Sequence, residues 1–200
     1  SGQVTQSSTG LFWDNVNNRL GIGTNAPSYA LDVKGFINTD GSSGFKQAGN
    51  TVLYASTTGN ISLAVGAPGA AAWMAATTSP FYDTAVGYLS LNSAPTLSTA
   101  QYNTAIGYAA LRFNTTGYDN TANGYATLFA NTTGYNNTAL GYYSGFYIAD
   151  GAAANATSTN SLYIGTNTKA LLSGDTNEIV IGYSATGLGS TTVVLGNSSI

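Results

Sequence analysis

The chain lacks cysteine and histidine altogether, and only 6% of its 200 residues are charged. Without cysteine there is no disulfide framework, and the redox compartment stays open. Without histidine a Ser-His-Asp triad is excluded at its base. An average soluble domain carries roughly 25% charged residues, so the net charge of −3 is a small imbalance in a nearly uncharged chain. There is no basic stripe to neutralise phosphates, and nucleic acid is not an expected partner. No run of about 18 apolar residues occurs; "ISLAVGAPGAAAWMAA" (61–76) comes nearest and is broken by Gly66, Pro68 and Gly69. Membrane insertion is therefore not expected. The start, "SGQVTQSSTG", has no basic region leading into an apolar core and no initiator Met, so the expectation is a piece of a longer chain.

What is present is Asn, Thr, Ser and Gly, together nearly half the residues. Such a bias often marks disorder, but 43% hydrophobic residues with 14 Tyr, 7 Phe and 2 Trp supply more apolar surface than disordered chains carry. The chain is built to fold. It is also built of repeats, whose detection precedes any search for sites. Asn-Thr-Ala-x-Gly-Tyr occurs at 103–108, 120–125 and 137–142, and Asp83-Thr84-Ala85-Val86-Gly87-Tyr88 is an earlier copy. "NSLYIG" (160–165) and "NEIVIG" (177–182) stand seventeen residues apart, Thr192–Gly196 closes the series, and Asn60–Gly66 is a degenerate first copy. Seven or eight rungs result.

Each rung reads as a short strand, rich in β-branched or aromatic residues and bounded by Gly and Asn. The connections "NTTGY", "LSGDTN" and "ATGLGS" supply residues that form turns or tolerate positive φ. "YAALRF" (108–113) has at most one helical turn, and no segment has a stable helix's length and period. Seventeen residues are too few for helical repeats or propeller blades, which take about 33 residues or more. They suit one coil of a β-solenoid, which at ~3.3 Å per extended residue is narrow and buries little by itself. The expected fold is all-β: an elongated, β-roll-like solenoid over 46–200, preceded by a β-hairpin module over 1–45. Lateral burial is expected from a homotrimer, intertwined or side by side. Within the coil 103–119, Gly107 and Gly117 are expected at bends and Ile106 and Leu111 in the interior. In "GLFWDNVNNRLGIGT" (10–24) Asp14 and Arg19 are placed to pair across a hairpin, and "DGSSG" (40–44) is a hinge candidate.

Residues 12–37 carry Trp-Asp-x-x-x-x-Arg-Leu-Gly-Ile-Gly-Thr-x-x-Pro-x-x-x-Leu-Asp-Val-x-Gly-x-Ile. This pattern resembles a segment recurring in bacteriophage tail fibres and large bacterial surface proteins. The Asn-Thr-Ala-x-Gly-Tyr rungs and the ending "NEIVIGYSATGLGSTTVVLGNSSI" (177–200) resemble the same fibres, where such an ending often precedes a trimerising chaperone that is cut off. The rungs are also similar to the head repeats of trimeric autotransporter adhesins, left-handed β-rolls of about fourteen residues per coil, whereas most coils here take seventeen. The resemblance implies an extracellular trimeric fibre, on a virion tail or a bacterial surface, attached to a host glycan or protein receptor.

Candidate chemistry is sparse. "GIGTNA" (21–26) fits the dinucleotide fingerprint Gly-x-Gly-x-x-Ala, but Pro27-Ser28 follows where a helix N-terminus is required, so no cofactor is expected. Glycoside hydrolysis needs only two carboxylates, and the acids are Asp14, Asp32, Asp40, Asp83, Asp119, Asp150, Asp175 and Glu178. Most stand beside Gly or Asn at turns or rung boundaries, where capping explains them, and a tailspike-type hydrolase ranks third behind a tail fibre and a bacterial adhesin or surface filament. An enzyme is not expected. No calcium-loop motif occurs, and the most acidic stretch, "LSGDTNE" (172–178), reads as an exposed turn, so no metal is expected. Sequons at Asn60, Asn114, Asn131, Asn136, Asn155 and Asn197 follow from composition. The tyrosines are the candidate site. Tyr88, Tyr108, Tyr125 and Tyr142 follow the rung glycine, and Tyr118 and Tyr135 follow the turn glycine. Equal spacing stacks each set into a column, as a glycan-binding stripe or, the favoured reading, as a self-stabilising ladder or trimer seam.

Overall fold

The computed structural model describes residues 10–34, 45–47, 50–55, 63–65, 82–92 and 100–199, with only backbone pairing at 45–47, 50–55 and 63–64. The chain divides into two compact units, Ser1–Thr39 and Asp40–Ile200. The hinge candidate 40–44, most of the connection around Pro95 and Asp40 itself lie outside the described residues.

In the first unit β1 (Leu11–Asp14), β2 (Arg19–Ile22) and β3 (Leu31–Val33) form one sheet in that order. β1 and β2 are antiparallel with Asp14 opposite Arg19, as the hairpin pattern requires, and β3 joins β2 in parallel. The two charged residues are cross-strand partners, yet each is engaged elsewhere. The Asp14 carboxylate accepts hydrogen bonds from the Val16 and Asn17 backbone N–H groups and from the Asn17 amide. Those donors hold its pKa below the usual value, while Arg19 donates to the Pro27 carbonyl at 2.9 Å. The glycines of "GIGT" serve close packing: a Cβ on Gly21 would fall 2.2 Å from the Thr24 carbonyl oxygen. Bends and then β3 follow, where a dinucleotide site needs a helix.

The second unit is a β-solenoid. Its ten-stranded sheet starts with β4 (Phe45–Gln47), β5 (Asn50–Ala55) and β6 (Leu63–Val65), paired antiparallel. From β6 onward every pairing is parallel and in register: β7 (Thr84–Val86), β8 (Thr104–Ile106), β9 (Thr121–Asn123), β10 (Thr138–Leu140), β11 (Leu162–Ile164), β12 (Ile179–Ile181) and β13 (Val193–Leu195). The degenerate copy at 60–66 thus contributes a strand, aligned Leu63 to Thr84. The starts of β7 to β13 give coils of 20, 17, 17, 24, 17 and 14 residues.

Three-residue strands present their middle residue inward and their flanks outward. Ala85, Ala105, Ala122, Ala139, Tyr163 and Val180 are the buried centres. Ile106 therefore sits on the outer face, 37% exposed, contrary to its expected interior position, while Leu111 is fully buried as expected. The segment 108–113 makes no helical turn. Ala109 and Leu111 take φ of 55° and 50°, a pattern repeated at Leu89 and Leu91 and at Ala126 and Leu128. Each left-handed residue costs about 1–2 kcal/mol. In return, backbone groups bond to neighbouring coils, Ala109 N–H to the Tyr88 carbonyl at 2.8 Å and Leu111 N–H to that of Thr127 at 3.0 Å. The leucines Leu91, Leu111 and Leu128 then fill the narrow interior against the alanine centres. The next coil exchanges the sizes. Gly145 stands where leucine stood, because a side chain there would meet Leu128 and the Tyr163 ring within 3 Å.

A polar column runs beside this core. Asp83, Asn103, Asn120, Asn137, Ser161 and Glu178 occupy equivalent buried positions in successive coils. The side-chain oxygen of each of the first five accepts the backbone N–H of the next: Asp83 from Asn103, Asn103 from Asn120 at 3.1 Å, Asn120 from Asn137 at 3.0 Å, Asn137 from Ser161 at 3.1 Å and Ser161 from Glu178 at 3.1 Å. The Asn120 amide also donates to Asn103 Oδ1 and the Gly134 carbonyl, so its buried polar atoms are satisfied.

Candidate interaction surface

The outer columns begin at the rung glycines. Gly87, Gly107, Gly124, Gly141, Gly165 and Gly182 hold φ between 119° and 139°, each against the glycine one coil on. A Cβ on Gly107 would stand 2.4 Å from the Gly124 carbonyl oxygen. Only glycine permits this approach, and it sets one corner of every coil directly above the last. The tyrosine that follows inherits the alignment. Tyr88, Tyr108, Tyr125 and Tyr142 stack with ring centroids 5.5, 4.8 and 5.1 Å apart and interplanar angles of 8–24°. Tyr118 and Tyr135 form a second stack at 4.7 Å and 5°. All six sequence-selected tyrosines are thus in columns, each exposed or half-buried.

Sequence reasoning missed three aromatic features. Tyr82 and Tyr102 stack at 5.3 Å. Phe113, Phe129 and Phe146 form a column with tilted and edge-on contacts of 4.9 and 4.7 Å, and the Arg112 guanidinium lies over the first two rings. Tyr143 turns edge-on to Tyr125 and Tyr142 and joins the two series through Phe146. The signals were available: Tyr82 and Tyr102 keep the spacing of Tyr88 and Tyr108, and Phe129 and Phe146 keep the seventeen-residue spacing.

Face-to-face stacking has a chemical consequence. Inside a ladder each ring's faces are covered by its neighbours, leaving its edge and hydroxyl for contact. Burial pushes the Tyr125 phenol pKa up, and hydrogen bonding with Tyr142 together with burial does the same for Tyr143. Both remain neutral hydrogen-bonding groups at neutral pH. Beside the first ladder runs a second stripe, the outward last residues of the strands: Val86, Ile106, Asn123, Leu140, Ile164, Ile181 and Leu195. It is apolar except at Asn123, and Leu140 and Leu195 are 48% and 71% exposed.

The acids separate into two groups. Asp150 accepts two backbone N–H groups in a local turn, as expected, and Asp32, within β3, accepts the Ser28 N–H. Asp175 and Glu178, expected in an exposed turn, are instead buried. Asp175 accepts from Leu172 N–H and the Ser190 hydroxyl, Glu178 from Gly189 N–H and the Tyr163 hydroxyl. Burial raises the Glu178 pKa, with the nearby Asp175 charge adding to it, and burial raises Tyr163 to about 12. At the other end of the polar column, burial lifts Asp83 to about 7 against the hydrogen bonds from Asn103. Among the described residues no three acids, cysteines or histidines come together to hold a metal ion, and no helix is long and apolar enough to cross a membrane. The sequon residues Asn114, Asn131 and Asn155 are buried, so a glycan on them would require the coil to open.

Comparison with family models, curated proteins and solved structures gave no match.

Proposed function

We propose that the chain is a structural segment of an extracellular homotrimeric fibre, a phage tail fibre that presents attachment surfaces to a host cell. The observation that carries this reading is the outer stripe Val86, Ile106, Asn123, Leu140, Ile164, Ile181 and Leu195, one residue per coil and apolar at all but Asn123, beside a tyrosine ladder. A partly exposed stripe that is apolar in every coil but the one carrying Asn123 favours burial against a partner. A partner that packs along several coils has to repeat at the coil spacing, and a second copy of this chain does so. The low charge removes electrostatic opposition to such self-association. The tyrosine ladder, whose ring faces are mutually covered, acts in this reading as a brace and a source of edge contacts.

Immunogold electron microscopy with antibodies raised against the folded chain tests the assignment. Labelling along virion tail fibres is expected. Labelling of bacterial surface filaments would transfer the chain to the adhesin alternative, and absence of label from any fibre would overturn the structural reading.

A further inference from the structure

We propose that Tyr118 and Tyr135 form an oxidative cross-linking site, at which a one-electron oxidant of the peroxidase-and-peroxide class joins two successive coils through a dityrosine bond. The inference does not depend on the fibre reading. Parallel phenols with centroids 4.7 Å apart and planes within 5° bring their ortho carbons within a side-chain tilt of bonding distance. Tyr118 is 41% exposed and Tyr135 is half-buried, so reagent reaches the pair and the rings can tilt without backbone movement. The pair is also terminal in both directions. The backbone N–H groups of Asp119, Asn136 and Asn160 bond in turn to the carbonyls of Gln101, Tyr118 and Tyr135, which places Gln101 before the pair in its column and Thr159 after it. An oxidised ring there has a single stacked aromatic partner in its own column, whereas a radical in the four-ring ladder can spread. Composition supports the same chemistry. With 14 tyrosines against no cysteine, one methionine and two tryptophans, tyrosine is the dominant oxidisable side chain.

The reaction balances. Each phenol gives one electron to the oxidant and its hydroxyl proton to water. The two radicals couple through a new ortho carbon–carbon bond, and the two ortho hydrogens leave as protons while the phenol hydroxyls re-form. Two hydrogens are lost overall, and one hydrogen peroxide becomes two waters. The bond closes a loop spanning one seventeen-residue coil (135 − 118), a covalent brace in a chain without disulfides.

The test treats dilute, folded chain with a haem peroxidase and hydrogen peroxide and maps linked peptides by mass spectrometry, with dityrosine fluorescence as a second readout. A Tyr118–Tyr135 peptide lighter by two hydrogens is expected among the dominant products. It should fall at least tenfold when the chain is oxidised in denaturing urea, vanish in Y118F and Y135F with circular dichroism unchanged, and raise the thermal midpoint of the oxidised chain. The proposal is overturned if the linked peptide is absent from folded chain, forms equally in urea, or disappears on dilution as an inter-chain product would.

Discussion

Gly124 stands where a methyl group would press 2.4 Å from the Gly141 carbonyl oxygen, at a φ of 139° that other residues rarely adopt. Gly124→Ala combines a backbone clash with strain, and a loss of about 4 kcal/mol or more is expected. Thermal unfolding would show it, with Tyr125→Phe as a near-neutral control. Asp83 makes a different residue-scale prediction. Its folded pKa of about 7 exceeds the ordinary 3.8, so the folded chain holds a proton that the unfolded chain releases. Its contribution is therefore complete below about 3.8 and is lost as pH rises toward 7, amounting to roughly 4 kcal/mol. Glu178 shifts in the same direction. Stability should decline from pH 4 to 7, and Asp83→Asn, which places at this position the residue found at 103, 120 and 137, should raise the midpoint at pH 8 and flatten that decline. A midpoint that rises with pH in the wild-type chain would contradict the assignment. The rung glycines and the tyrosine columns were legible in the sequence, because every coil meets the same backbone constraint at the same place. The inward or outward sense of Ile106 was not. In a strand of three residues one central alanine supplies the core, and the β-branched flank that reads as interior faces out. The burial of Glu178 was equally hidden, since its acceptor role depends on Gly189 at the far side of its own coil and on Tyr163 from the preceding coil.

At the scale of one coil, the asparagine column carries much of the specification. Asn120→Leu removes two amide donations and leaves Asn137 N–H without the oxygen it uses. Orphaned buried groups cost about 1–3 kcal/mol each, so chemical denaturation should report a loss of several kcal/mol. Removing the whole coil should be milder. Deletion of 120–136 brings Asn137 to the place of Asn120, above Asn103, and restores the same hydrogen bonds, the same glycine corner and the same tyrosine ladder. The shortened chain is expected to keep its β-sheet circular dichroism and unfold cooperatively with a slightly lower midpoint. Failure to fold would mean the coils are not interchangeable. The seventeen-residue spacing made this modularity readable in advance. The 24-residue coil between β10 and β11, with Gly145 and Tyr163 exchanging sizes, was not readable, because the pairing of a lost side chain with a gained one crosses a coil boundary.

For the whole molecule, the outer stripe and the near absence of charge make self-association the central claim. Ile106→Asp and Leu140→Asp place charges on that stripe and leave the buried centres Ala105 and Ala139 untouched. Both variants should keep their β-sheet signal while losing the assembled state. The most direct measurement is the mass of the folded wild-type chain in solution by light scattering. A mass three times the 20.4 kDa of one chain, falling to one chain's mass in Ile106→Asp, is the predicted result, and a wild-type mass of 20.4 kDa at every concentration would contradict it.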